Sequence, residues 1–291
     1  MSKTTNTLRQ WGLSTLILLG AALAVSPAQA AGSIEAVLAA STHGPSDVKL
    51  DQQAVLHLPT NRIWVGQPQA GEVLRSMGNP GDHSDIRGLV FPDKSTDWFA
   101  VLRWNASGYI KDDDAKDWKA DDLLKSYREG TEAQNAERKK MGMPEMEIVG
   151  WAETPHYDAA AHRLVWAMSS RDKGALANAE QGVNYNTYAL GREGYMSLNL
   201  VTDLNDLNKH KPTAQSLLAA LEFVDGKRYA DFNASTDHVA EYGLAALVLG
   251  VGAKKLGLLA VGAAFFAKFA KIIILAGVGV LAAARKIFKR G

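Results

Sequence analysis

Apolar and polar positions alternate or recur at helical spacing through the middle of the chain, and both patterns stop in the last fifty residues. Residues 54–59 and 62–65 read as strands, and 68–77 as a short helix that starts on a proline and stops at Gly78-Asn79-Pro80. Residues 98–104 combine aromatic and β-preferring side chains into a further strand, followed by a turn at Asn105-Ala106-Ser107-Gly108. The longest helix is predicted over 121–141, with acids in its first turn, Arg138-Lys139-Lys140 in its last and Gly142 as the stop. Its inward face carries Leu123, Leu124 and Tyr127, but beyond Thr131 it is nearly all polar, which predicts a surface or a partner-binding half. Strands follow at 147–152 and 163–168, joined by 153–158 and three alanines. A hairpin then pairs 184–190 with 195–201 through Gly191-Arg192-Glu193-Gly194. Met196, Leu198 and Leu200 alternate with Ser197 and Asn199, the pattern of a sheet with one buried face. A helix at 212–221 and a hairpin over 223–232, turning at Asp225-Gly226, complete the series. Short antiparallel strands interleaved with a few helices predict an α+β fold, an antiparallel sheet with packed helices in a sandwich-like arrangement.

The two ends say where such a domain works. Residues 1–30 read as a secretory signal peptide: Lys3 and Arg9 form the charged region, 13–25 the apolar region, and Ala28-Gln29-Ala30 the cleavage site. From Tyr242 the sequence is almost wholly apolar, interrupted by Lys254, Lys255, Lys268 and Lys271, and it closes on a basic run containing Arg285 and Lys286. This divides the chain into a signal peptide (1–30), a periplasmic α+β domain (31–239) and a C-terminal membrane anchor with a basic tail (240–291). A single span from 256 to 284 would place Lys268 and Lys271 near its middle. Each central lysine costs roughly 2.5–3.5 kcal/mol, while each Leu, Ile or Phe returns only about 0.3–0.6 kcal/mol. A simple span is therefore strained. The favoured geometry remains a transmembrane anchor with its basic end in the cytoplasm, and interfacial or self-associating helices come second, since the tail is rich in glycine.

Composition narrows the chemistry. The chain has no cysteine, which excludes disulfides, thiolate metal sites and a cysteine nucleophile. Its near-neutral total charge hides an acidic domain: residues 31–239 hold 22 Lys and Arg against 30 Asp and Glu, whereas the tail is basic. An acidic surface disfavours nucleic acid as a partner. The expected partners are the lipid bilayer, with another envelope protein or a second copy of the tail beside it.

Candidate site residues fall in three places. Asp112, Asp113 and Asp114 form the densest acidic cluster, but the spacing misses the helix-loop-helix calcium pattern, so a turn whose aspartates cap the next helix is the favoured reading. Trp151, Glu153, His156, Tyr157 and Asp158 put aromatics, an acid and a histidine into one short connection. Trp151 is predicted to be core, its indole N–H bonded to a buried acceptor. His156 and His162 flank a turn and could approach each other. Arg192 lies in the hairpin turn, and Arg228 with Asp231 reads as an ion pair or a turn. No zinc-ligand spacing, serine-nucleophile elbow or phosphate-binding glycine pattern occurs, so neither a metal nor a cofactor is expected.

In order along the chain stand Gly108-Tyr109-Ile110-Lys111-Asp112-Asp113-Asp114-Ala115, Asn135-Ala136-Glu137-Arg138, the run from Gly150-Trp151, Leu190-Gly191-Arg192-Glu193-Gly194 and Arg228-Tyr229-Ala230-Asp231-Phe232. With these motifs the chain resembles the membrane-anchored bacterial proteins grouped as domain of unknown function 2167. The resemblance extends through Ala240-Glu241-Tyr242-Gly243 and the lysine interruptions of the tail; one departure is Met77, where members often carry tryptophan. It implies a Gram-negative-type envelope setting and a membrane anchor, with no catalytic residues to carry over; the anchor is expected in the inner membrane, with the main domain in the periplasm. The leading expectation is a non-enzymatic envelope protein that binds a partner or small ligand. A hydrolytic or metal-dependent enzyme centred on 112–114 or on Glu153, His156 and Asp158 is the alternative, and a membrane-active tail is a third reading.

Overall fold

The computed structural model describes Val37 and residues 40–77, 79, 82–95, 97–116, 118–140 and 142–249. The segment predicted to be a signal peptide and the predicted tail residues Lys254, Lys255, Lys268, Lys271, Arg285 and Lys286 lie outside the described residues. In chain order the elements are β1 (Thr42–His43), β2 (Ser46–Leu50), β3 (Ala54–Leu58), β4 (Arg62–Gly66), α1 (Gln69–Ser76), β5 (Ile86–Pro92), β6 (Phe99–Asn105), α2 (Ala120–Lys140), β7 (Met146–Asp158), β8 (Arg163–Asp172), β9 (Gly182–Leu190), β10 (Tyr195–Asp203), α3 (Leu207–Ala219), β11 (Leu221–Phe223) and α4 (Leu244–Val248).

Eight strands form one antiparallel sheet in the order β1-β4-β5-β6-β10-β9-β8-β7, and three form a second, β11-β3-β2. On one face of the large sheet Leu102, Tyr185, Met196, Leu198 and Leu200 pack against Leu50, Leu56 and Leu58 of the small sheet and Leu217 and Leu218 of α3. A buried side chain of this size stabilises by about 1.5–3 kcal/mol, so this layer is the main source of stability. The opposite face carries two apolar clusters. Leu123 of α2 and Leu244, Leu247 and Val248 of α4 cover Leu164, Trp166, Met168 and Tyr188 at one side. Ala70 and Leu74 of α1 cover Leu89, Phe99, Val101 and Val201 at the other.

This two-sided burial corrects the one-faced sheet expected from β10. Ser197 and Asn199, on the side read as open, are only 4% exposed. Alternation in β10 therefore separates two kinds of interior.

Other differences are local and have physical causes. β7 runs on to Asp158, so the connection predicted at 153–158 is strand, with register shifts between Ile148 and Gly150, Trp151 and Glu153, and Glu153 and His156. α3 begins five residues before Pro212 because Lys209, His210 and Lys211 are tied to carboxylates on the sheet side. The hairpin predicted over 223–232 does not form. β11 pairs with β3, and the chain then makes a 3-10 turn at Tyr229–Asp231.

The polar half of α2 meets β7, the edge of the large sheet. Asn135 exchanges two hydrogen bonds with the backbone of Met146, each 2.8 Å, and the Arg128 guanidinium donates to the carbonyls of Ile148 and Val149. The outward backbone groups of an edge strand invite pairing with other chains, and here helix side chains occupy several of them. No outside partner is needed to explain the polarity of this half.

Candidate functional site

The turns Ala159–His162 and Gly191–Gly194 lie at one end of the large sheet, joined where the Leu190 N–H donates to the His162 carbonyl at 2.9 Å. The segment that follows β6 runs beside them. Tyr109 N–H donates to the His238 carbonyl, and Ala240 N–H returns to the Tyr109 carbonyl, both at 2.8 Å. Gly108 makes this approach possible: it has φ +88°, and a Cβ there would sit 2.6 Å from the His238 carbonyl oxygen.

Asp112 is thereby brought to Tyr157, whose hydroxyl donates to the carboxylate at 2.8 Å and lies 3.1 Å from Nδ1 of His162. The phenol has one proton, committed to the carboxylate, so the Nδ1–H of His162 donates to the phenol oxygen. His162 has φ +51°, in the left-handed region that non-glycine residues seldom occupy. Its ring stacks on Tyr229 at 4.1 Å, Tyr229 on Tyr109 at 4.4 Å, and Tyr109 on Phe232 at 3.8 Å, a four-ring column beside the Asp112–Tyr157 pair. Burial pushes the phenols of Tyr157 and Tyr229 well above their usual range, and the Asp112 carboxylate adds to both shifts. They remain protonated donors, which argues against a phenolate nucleophile here.

The other sequence candidates divide between this end and the rest of the fold. Arg192 forms a bidentate pair with Asp237 at 2.7 and 2.8 Å. Arg228 pairs through its side chain with Asp225, and Asp231 instead accepts from the Arg228 backbone N–H. The turn reading of that pair is thus the structural one. Asp158 accepts from the N–H groups of Ala160 and Ala161 and shapes the β7–β8 turn.

The acidic cluster does not act as a unit. Asp112 faces Tyr157, Asp113 is exposed, and Asp114 accepts from Leu244 and Ala245 N–H at 3.0 and 3.1 Å. It caps α4, far along the chain, rather than the next helix. Among the described residues no group of three or more His, Asp or Glu is placed to hold a metal ion.

Trp151, Glu153 and His156 do not join Tyr157. Trp151 is half-buried at the edge of the apolar cluster instead of within the core expected from sequence; it packs on Tyr127 of α2, and its indole N–H donates to the Ala120 carbonyl at 3.1 Å. The register shift after it sends Glu153 to the other side, where it meets Lys211 at 2.5 Å and accepts from the Tyr185 hydroxyl at 3.3 Å. His156 lies 3.6 Å from Glu153, and His162 goes to Tyr157, so the two histidines serve different partners.

One polar cluster is invisible in the sequence. His210, 3% exposed, lies 2.7 Å from the Thr202 hydroxyl through Nδ1 and 3.1 Å from Asp97 through Nε2. Asp97 also accepts from Lys209 at 2.7 Å and from Ser95. A hydroxyl, an imidazole and a carboxylate in line resemble a nucleophile relay, but Thr202 is 6% exposed and cannot meet a substrate. The chain of bonds clamps α3 to the sheet.

Two carboxylates give a pH prediction. Burial raises Asp97, but Lys209, Ser95 and a backbone N–H outweigh it and hold the group well below the usual carboxylate range. Asp237 is held low chiefly by Arg192, with the Asn233 N–H second. A depressed folded-state value stabilises above the unfolded value of about 3.9 and loses that contribution as pH falls below it. Thermal melts are expected to drop steeply below about pH 4, and less steeply in a Asp97→Asn/Asp237→Asn variant. Equal slopes for the two proteins would rule these groups out as the cause.

With the geometry established, sequence comparison places the chain. A family model described as a protein of unknown function (DUF2167) matches residues 42–279. The chain belongs to this family. The match covers the whole folded domain from β1 onward and continues thirty residues past Leu249. No curated protein matches the sequence. Among solved structures, the solution structure of cyanobacterial PsbP (CyanoP) from Synechocystis sp. PCC 6803 is similar at a TM-score of 0.35 and 8% identity, covering 63% of this chain and 91% of that one.

Proposed function

We propose that this DUF2167 protein is an envelope protein whose periplasmic α+β domain is held at the inner membrane by its C-terminal tail and acts by binding, without catalysis. The observation that carries this reading is the root of the tail. Leu244, Leu247 and Val248 are buried in the domain, Asp114 caps their helix, and the family match runs on through the apolar sequence to residue 279. Of the residues assigned by sequence to the tail, Ala240, Tyr242, Leu244, Ala245, Leu247, Val248 and Leu249 pack with the domain. The first residues assigned to the tail, up to Leu249, are therefore part of the folded domain. Among the described residues no helix is long and apolar enough to cross a membrane, so the anchoring role rests on residues 250–291 and their lysine-interrupted apolar composition.

Binding is favoured over catalysis because the candidate ionisable groups satisfy one another. Tyr157 donates to Asp112, Lys211 neutralises Glu153, and Arg192 is closed on Asp237. A catalytic acid, base or nucleophile needs a free face toward substrate.

The absence of cysteine makes a direct test clean. Leu176, 77% exposed in the β8–β9 turn, accepts a Leu176→Cys label site. Full-length protein is expected to stay with membranes through alkaline carbonate extraction, and a chain ending at Leu249 to be released. The label site is expected to react with membrane-impermeant maleimide in spheroplasts. Carbonate release of the full chain, or labelling only after lysis, would overturn the reading.

A further inference from the structure

The two sheets end on β1, β7, β11 and β2, and the fold treats these four edges differently. At β7 the side chains of Asn135 and Arg128 occupy outward backbone groups. β1 is two residues long and β11 three, too short to offer much of a ladder. β2 has five residues, and among the described residues it pairs with β3 alone. Its other side leaves about 17 Å of backbone open to a further strand.

Edge strands commonly carry charge of one sign, which repels a neighbour. β2 carries both signs. Asp47 and Lys49 are exposed and, two residues apart, project from the same face. Asp47 lends Oδ1 to Nδ1 of His57 at 2.7 Å, and its side chain remains 70% exposed. Among the described residues its Oδ2 has no partner and Lys49 has no ion pair. Val48 stands between the two charges on the opposite face, packed at the margin of the main core and only partly buried.

We propose that β2 pairs with β2 of a second copy of this chain, antiparallel about a two-fold axis at Val48, joining the two small sheets into one of six strands. In that register Asp47 of each copy lies opposite Lys49 of the other, and the two Val48 side chains cover one another. The charges select the register. The neighbouring two-folds that keep both exposed faces on one side centre on Asp47 or on Lys49, and each sets like charges opposite one another. The second would also enlist Asp51, which has φ +56° and is held in the following turn by Arg87. A five-residue contact falls below the roughly 1,200 Å² of a standard stable complex, so the pair is expected to exchange. It lies within the domain and does not depend on the tail.

The chain has no cysteine, so single thiols test the pairing on the full-length protein in detergent. Directly opposite residues of an antiparallel pair have Cα atoms about 4.5 or 5.5 Å apart, both within the roughly 4.4–6.8 Å that a disulfide bridges. With copper phenanthroline as oxidant, Val48→Cys is expected to crosslink to itself at least about tenfold faster than Leu176→Cys, a site 77% exposed in the β8–β9 turn. Adding Asp47→Lys or Lys49→Asp to Val48→Cys should slow the crosslink by at least about fivefold, because like charges then face each other. Mixing the two reversed chains, or placing both reversals in one chain, sets opposite charges across the axis again and should restore the rate. Such rescue separates lost pairing from misfolding. Crosslinking no faster at Val48 than at Leu176, single reversals without effect, or reversals that do not rescue one another would overturn the proposal. So would a Val48→Cys that in intact cells is captured by a different protein and never by a second copy.

Discussion

Asn135→Ala is expected to destabilise the domain by about 3 kcal/mol, lowering its melting temperature by roughly 6–12 °C for a domain of this size. The residue is 2% exposed on the polar half of α2, and its amide meets both backbone groups of Met146. Met146 begins β7, the edge of the large sheet, so no further strand is there to take those groups. Truncation strands a buried N–H and a buried C=O together, each worth about 1–3 kcal/mol when left unpaired. The helix gains only about 0.5 kcal/mol in propensity from alanine, far too little to compensate. Lys139→Ala, one helical turn on and exposed, is the control and should change stability by no more than about 0.5 kcal/mol. Chemical denaturation with Asn135→Ala within about 1 kcal/mol of the parent would show that water replaces the amide and that the staple is incidental.

The same residue shows where sequence reading stops. Periodicity places α2 within a residue of each end and assigns Leu123 to the interior, because those features depend on local spacing. It cannot tell that Asn135, in a stretch of polar residues, faces a strand rather than water. In β10 the alternation of Met196, Leu198 and Leu200 is read correctly as a strand with an apolar face, yet Ser197 and Asn199 are buried as well. A polar side chain in an amphipathic pattern signals solvent only when nothing covers that face, and coverage by α1, α2 and α4 is a tertiary fact.

The site was legible in part for the same reason. Asp112, Tyr157 and Asp158 converge on one end of the sheet, but Glu153, two residues after Trp151, leaves for the other face at a bulge that local pattern does not encode. Asp97, Thr202 and His210 are brought together by α3 docking, with Asp97 over a hundred residues away from its partners.

Asp114→Ala is expected to release α4 from the domain while leaving the sheet folded. The carboxylate accepts from two N–H groups at the start of a five-residue helix, which forms too few internal bonds to persist without such support. Loss of a capping side chain costs about 0.5–2 kcal/mol, and a charged acceptor with two donors lies at the upper end. That exceeds what the short helix can recover from propensity, so opening at Leu244–Val248 becomes the lowest-energy fluctuation of the domain. Hydrogen exchange at 244–248 should rise at least tenfold in Asp114→Ala, with protection across β9 and β10 unchanged. Gly243 supplies an independent route to the same state. A Cβ there would stand 2.5 Å from an Asp114 carboxylate oxygen, so Gly243→Ala should displace the cap without removing its charge. If both variants open α4, the carboxylate is the latch between domain and tail. If α4 stays protected in both, burial of Leu244, Leu247 and Val248 holds it unaided, and the tail root is fixed by the core.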